Sequence, residues 1–463
     1  MLAAGLFAVI LAWPAPEAQA VKLAGELGAG TLIIHHPDGA APQRPGALKI
    51  LAEIPAEAAA VEAARRNGYD GAAVAAVGAR AQFTAFLQAQ AGFVRVVYLK
   101  PEQLDWDVRP AQAVLRHGQW PGLKPAGGGE EAGATERPWL VGNLHLYAYL
   151  RACYPARTPV LHFVPEEQSA RNEGVEVALA EAFAGGGEVV VELPEIYRTG
   201  LQKGDARAIQ AWKSLCELSG FLASQASLRR AGGGARTAIV AGPLDEETEE
   251  FLNLAYRNNL SSEVLPAGRV RTEAAGLRIV AAVNRALSAQ DARQLELFAR
   301  SGGAVLTSPP MGEALKPWWG AGKKLRSEGP RDVYQVGKGI VYAYREGFVD
   351  PSQFASGLRE ASGVDNPAGY GLNGLDFRLW NAATVLGVLH RAAGGRTLIL
   401  VSYGRRVDHD FLVGVRGRVT SGTFTGPGKP PALLHLMPWD WRVEWNQEGL
   451  SRVGIFTLKE LGQ

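Results

Sequence analysis

From Thr31 the chain alternates short apolar runs with stretches of helical spacing. Residues 31–36 (TLIIHH), 47–54 (ALKILAEI), 71–77 (GAAVAAV), 94–100 (VRVVYLK), 112–117 (QAVLRH), 159–164 (PVLHFV) and 188–193 (EVVVEL) read as strands. Between them, residues 56–68 (AEAAAVEAARRNG) and 174–187 (GVEVALAEAFAGGG) read as helices, the second stopped by a glycine run. A strand-then-helix rhythm predicts a parallel sheet. Seven such strands without return to a second sheet favour a (β/α)-barrel. No eighth strand is assigned with the others: either the barrel is incomplete, or residues 139–144 (WLVGNL) supply it.

The Gly- and Glu-rich stretch 122–138 has no periodicity and reads as a surface loop, and residues 229–236 (RRAGGGAR) read as a linker. The strand–helix rhythm then restarts. Residues 236–243, 276–283, 304–309 and 337–344 read as strands, and 245–259 and 288–303 as helices, the latter with a Ser cap and a Gly stop. This predicts a smaller doubly wound α/β domain, with residues 377–395 (FRLWNAATVLGVLHRAAGG) as a long closing helix. From Arg396 the period becomes two, with Gly/Pro turns, which predicts a C-terminal antiparallel β-sandwich.

At the other end, Leu2 to Trp13 form an apolar run too short for a membrane span. Pro14 and Pro16 break it, and Ala18-Gln19-Ala20 offers a cleavage site, so residues 1–20 read as a signal peptide despite having no Lys or Arg before the run. A mature chain from Val21, periplasmic or secreted, is the expectation. Composition adds limits. With 47% hydrophobic and 20% charged residues the chain is globular. A net charge of +2 with no concentrated basic face argues against nucleic acid as partner. Cys153 and Cys216 lie in helix-like patterns and read as two free thiols, a disulfide being the other possibility after export. No Cys/His cluster has zinc spacing, and no cofactor or metal is expected.

Several segments carry a resemblance. Residues 143–167 (NLHLYAYLRACYPARTPVLHFVPEE) followed by 172–187 (NEGVEVALAEAFAGGG) look like the late part of glycosidase barrels. Residues 295–310 (LELFARSGGAVLTSPP) look like the strand-and-glycine segment that precedes the nucleophile in amidotransferase-like folds. Residues 397–417 (TLILVSYGRRVDHDFLVGVRG) look like the segment that begins the sandwich. In this order the parts resemble beta-galactosidases that carry an amidotransferase-like trimerisation domain. The resemblance implies a multidomain α/β chain. Its parts are a (β/α)-barrel over 21–232, an amidotransferase-like (flavodoxin-like) domain over 233–395 and a β-sandwich over 396–463. It also implies carbohydrate as partner and a possible homo-oligomer.

The middle domain lacks the nucleophile that amidotransferase chemistry needs. Neither cysteine lies between Arg236 and Gly395, and Ser308 is not in a nucleophile elbow. It reads as catalytically dead. Chemistry in a barrel belongs at the C-terminal strand ends. Those ends offer Glu53 and Glu192 as a candidate carboxylate pair for glycoside hydrolysis, with His35, His36, Arg116, His117 and His162 as candidate substrate contacts. Pro194 ends the last strand, so Glu195 is expected on the loop beyond, outside the site. Trp106, between Asp105 and Asp107, reads as a sugar-stacking residue or as part of a plain turn. The favoured reading is a metal-independent glycoside hydrolase. The alternative is a non-catalytic glycan-binding or envelope assembly protein on the same scaffold.

Overall fold

The computed structural model describes residues 7–460 apart from 45, 124, 127–128, 131–139, 166–170, 229–234, 261, 273–275, 283–286, 309–317, 347–349, 364–374, 393–394, 405–406 and 440. Trp139 and most of the Gly/Glu-rich stretch and the linker lie outside the described residues.

Eight parallel strands close into a barrel: β1 (Val9–Trp13), β2 (Thr31–Ile34), β3 (Lys49–Glu53), β4 (Gly71–Ala75), β5 (Val94–Leu99), β6 (Gln112–Leu115), β7 (Val160–His162) and β8 (Glu188–Glu192). The missing strand is β1, inside the segment expected to be a signal peptide. It pairs with β2 on one side and with β8 on the other, Val9 opposite Val189. All five of its residues are buried. The expected cleavage site falls at the start of helix α1 (Ala18–Leu27), so cutting after Ala20 would take a strand out of the closed barrel. The other candidate, Leu140–Val141, pairs antiparallel with Gly122–Leu123 outside the barrel.

Side chains alternate along each strand. Ile10, Ala12, Ile33, Leu51, Ala73, Val96, Tyr98, Val114, Val160 and Val190 form one cluster that fills the barrel interior. Their neighbours, among them Leu11, Leu32, Ile50, Val97 and Val191, belong to the layer under the helices. Those helices are α1, α2 (Ala58–Arg66), α3 (Arg80–Ala89), α4 (Leu144–Cys153), α5 (Glu173–Ala184), α6 (Glu195–Lys203) and α7 (Ala206–Ser224). Helix α5 is buried from Val177 to its end, as an all-round apolar helix must be. It lies between β8 and the sandwich strand Gly395–Ser402, and His390 Nε2 approaches the Ala184 carbonyl at 2.8 Å.

Among the described residues, the middle domain forms a seven-stranded sheet. Its parallel part is β9 (Thr237–Ala241), β10 (Ser262–Pro266), β11 (Ile279–Ala282), β12 (Ala304–Thr307) and β15 (Gly339–Tyr344), in the order β10-β9-β11-β12-β15. An antiparallel hairpin, β13 (Lys323–Glu328) and β14 (Arg331–Val336), extends one edge. Helices α8 (Glu246–Arg257), α9 (Ala289–Ser301) and α10 (Pro351–Ala361) complete it.

The sandwich begins earlier than expected. Residues 377–395 are not a helix: Phe377–Trp380 and Val385–Ala392 are strands, one in each sheet. Residues 385–390 are buried throughout, so no alternation marks them as a strand. Gly387 confirms the close packing there, since a Cβ would lie 2.7 Å from the Phe377 ring. Trp445 is buried in the sandwich core, while Trp439 is exposed. Among the described residues, no helix is long and apolar enough to cross a membrane.

Candidate active site at the barrel mouth

Alternation decides which strand-end residues enter the mouth. Counting two on from interior residues Ile33, Leu51, Val114, Val160 and Val190 gives His35, Glu53, Arg116, His162 and Glu192. These five side chains form a closed ring of contacts. His35 Nδ1 lies 2.7 Å from Glu53 Oε2, and His35 Nε2 lies 3.5 Å from Glu192 Oε2. Glu192 Oε2 is also 2.7 Å from His162 Nε2. Arg116 Nε donates to His162 Nδ1 at 3.1 Å, and its NH2 donates to Glu53 Oε1 at 3.0 Å. The Arg116 guanidinium lies 3.6 Å from the centroid of the Tyr98 ring, which floors the site. The two imidazoles stack nearly parallel, with centroids 6.2 Å apart.

The hydrogen bonds fix the protons. His162 Nδ1 accepts from Arg116, so its Nε2 carries the hydrogen that goes to Glu192. Burial holds the His162 pKa down, against the pull of Glu192, and the ring stays neutral at pH 7. His35 behaves oppositely. Burial disfavours its charge, but Glu192 and Glu53 outweigh that and lift its pKa to about 9. Burial works against both carboxylates too. The hydrogen bond from His162 and the nearby charge of His35 nevertheless hold Glu192 well below the usual carboxylate range, and His35 and Arg116 hold Glu53 down. The mouth at pH 7 thus carries two carboxylates, an imidazolium, a guanidinium and a neutral imidazole.

The remaining candidates lie elsewhere. His36 is exposed and outside the ring. His117 points the other way along β6, to Glu249 of the middle domain, with Nε2 to Oε2 at 2.6 Å. Trp106 packs on Phe83, ring centroids 5.8 Å apart, and is part of the layer under the helices. Its flanking acids close ion pairs, Asp105 with Arg80 at 2.7 Å and Asp107 with Arg109 at 2.6 Å. Glu195 opens α6 and is exposed. Sequence reasoning passed over Tyr98, although its inward parity with Val96 was readable. Cys153 and Cys216 are both free, and burial raises their thiols to about 11 and about 12. Among the described residues, no group of three or more His, Cys, Asp or Glu is placed to hold a metal ion.

No protein-family description matches the chain, and no curated protein matches it. Solved structures do. An alpha-L-fucosidase, isoenzyme 2 from Paenibacillus thiaminolyticus, aligns over 99% of this chain and 100% of its own, at TM-score 0.55 and 9% identity. A cold-adapted beta-galactosidase from Rahnella sp. R3 aligns over 96% of this chain and 98% of its own, at TM-score 0.54 and 10% identity. At these identities the likeness is one of fold, carried across all three domains, and the chain has a glycoside-hydrolase-like fold.

Proposed function

We propose that the barrel mouth cleaves glycosides, with Glu192 as the ionised carboxylate and Glu53 with His35 as the proton-carrying partner. Glycoside hydrolysis needs an anionic group at the sugar carbon and a proton for the departing oxygen. The observation that carries the reading is the position of His35 between the two acids, 2.7 Å from one and 3.5 Å from the other. Both carboxyl groups are held ionised, so the exchangeable proton of the site resides on His35. The contact to Glu192 is the long one. A substrate that slips between them frees Glu192, while the short bond keeps His35 and Glu53 together as the acid. The glycosidase-like fold supports carbohydrate as the substrate class, but fold alone does not choose a reaction.

A screen of aryl glycosides tests the reading. Turnover should appear with at least one sugar, fall as pH rises through about 9 where His35 loses its proton, and fall sharply in Glu192→Gln. A second reading has its own support. The ring is closed, with each charged member already paired inside it, which suits a site that binds glycans without cutting them. Glycan binding with no turnover on any glycoside would select that reading.

A further inference from the structure

Arg116 and His117 are neighbours at the end of β6, and alternation sends them to different domains. Arg116 enters the mouth ring. His117 meets Glu249 in the first turn of α8. Burial would raise the Glu249 pKa, but His117 and His145 outweigh it and hold it at about 2, so the contact is charged at Glu249. His145 Nε2, on α4, is 3.8 Å from the other carboxylate oxygen. Two residues further on, the chain is held a second time. The Gln119 N–H donates to Asn143 Oδ1 at 3.2 Å, and Asn143 Nδ2 donates to the Gln119 carbonyl at 3.0 Å. The Asn143 N–H donates to Glu181 Oε1 at 2.6 Å, and the Tyr403 hydroxyl, from the sandwich, donates to the same oxygen. Between the two anchors lies Gly118 at φ +108°, where a Cβ would stand 2.7 Å from the Phe163 ring and 2.8 Å from Asn143 Oδ1. Only glycine lets the chain turn this tightly against its own anchor.

We infer that the accessory domains set the barrel mouth: Glu249 and Tyr403 are positioning residues that hold segment 116–119, and through it the Arg116 guanidinium, in the ring. The inference rests on the reading that this ring is the working site. The linkage is a continuous series of contacts. Glu249 holds His117, the backbone carries Arg116, Arg116 fixes the His162 tautomer, and His162 donates to Glu192. Misplacing a group that orients a catalytic carboxylate costs rate without touching substrate. The barrel alone supplies the acids. The middle domain and the sandwich supply the restraints that aim them.

The test uses the full chain with Glu249→Ala, Glu249→Gln and Tyr403→Phe. Two readouts are independent of catalysis: amide hydrogen exchange over residues 112–119, and the nitrogen NMR signal of His162 Nδ1. Losing one charged hydrogen bond at the anchor should speed exchange of the 116–119 amides about 10-fold. The His162 signal should shift as Arg116 leaves it. Glu249→Gln, which keeps an acceptor for His117, should restore both, and Tyr403→Phe should speed exchange as Glu249→Ala does. Where turnover is measurable, kcat should fall with little change in KM. Glu249→Ala with wild-type exchange and an unmoved His162 signal overturns the inference, even if the melting temperature drops. If these signals move but the wild-type protein cleaves no glycoside, the restraint stands and the catalytic reading fails.

Discussion

The imidazole of His35 separates the carboxylates of Glu53 and Glu192, bonded to the first at 2.7 Å and resting 3.5 Å from the second. The acids therefore do not repel one another across an open gap. They share one cation. The asymmetry of the two distances assigns the roles: Glu53 is tied to His35, and Glu192 is tied to His162.

Glu192→Gln keeps the shape of the side chain and removes its charge. Turnover on the best aryl glycoside should fall about 10²-fold or more. Glu195→Gln, at an exposed position on α6, should leave turnover within about 2-fold. Steady-state kinetics on both variants decides the assignment, and full activity in Glu192→Gln would remove Glu192 from the chemistry.

His35 also ties stability to pH. Its folded pKa of about 9 lies above the ordinary 6.5, so its contribution is fully present below pH 6.5 and is lost as pH rises through 9. The amount is of order 3 kcal/mol. Melting temperature should decline between those pH values in the wild-type protein. His35→Asn should flatten that decline; an equal slope in the variant would place the proton elsewhere.

A second window belongs to Glu181. Complete burial raises this carboxyl to about 7, against the donors Tyr403 and Asn143. Folding favours its protonated form, so stability is present below the ordinary carboxylate value of 4.5 and is lost as pH rises through 7. Glu181→Gln carries no proton to lose. Denaturant midpoints from pH 4.5 to 7.5 should fall in the wild-type chain and change less in the variant. Parallel curves would argue against a titrating Glu181.

Removing residues 1–20 deletes β1 and opens ladders on both β2 and β8. An unpaired parallel strand at the centre of a barrel exposes backbone groups and apolar surface. The truncated chain should be recovered as aggregate, or show no cooperative thermal transition by circular dichroism. A soluble truncated protein with the wild-type melting temperature would show that the barrel closes without β1.

Much of the barrel was legible because its strands are punctuated by glycines and its interior follows a period of two. The same period was enough to separate Arg116 from His117 and His35 from His36, had inward parity been fixed first on Val114 and Ile33. Two elements were hard to read as strands, for opposite reasons. Val9–Trp13 is wholly apolar because it lies between neighbouring strands under a helix layer, and an apolar run followed by prolines is also what a leader looks like. Val385–Ala392 is enclosed by the sandwich, so it lost the alternation that betrays a strand. The anchors of the mouth were out of reach altogether. Glu249 is 132 residues from His117, and Tyr403 is 222 from Glu181. Nothing local marks a carboxylate or a tyrosine as the far end of such a contact.

The pairing of Val9 with Val189 makes the order of synthesis matter. Strand β1 is made before the other seven strands of the barrel and is joined on one side by β2 almost at once. Its other edge stays open until β8 has been made. For that interval the nascent chain presents an unsatisfied, fully apolar ladder, the kind of surface that aggregates or recruits a chaperone. Ring closure is therefore a late, long-range event with a large loop to order first. The mouth, whose members come from both sides of that seam, cannot exist before it.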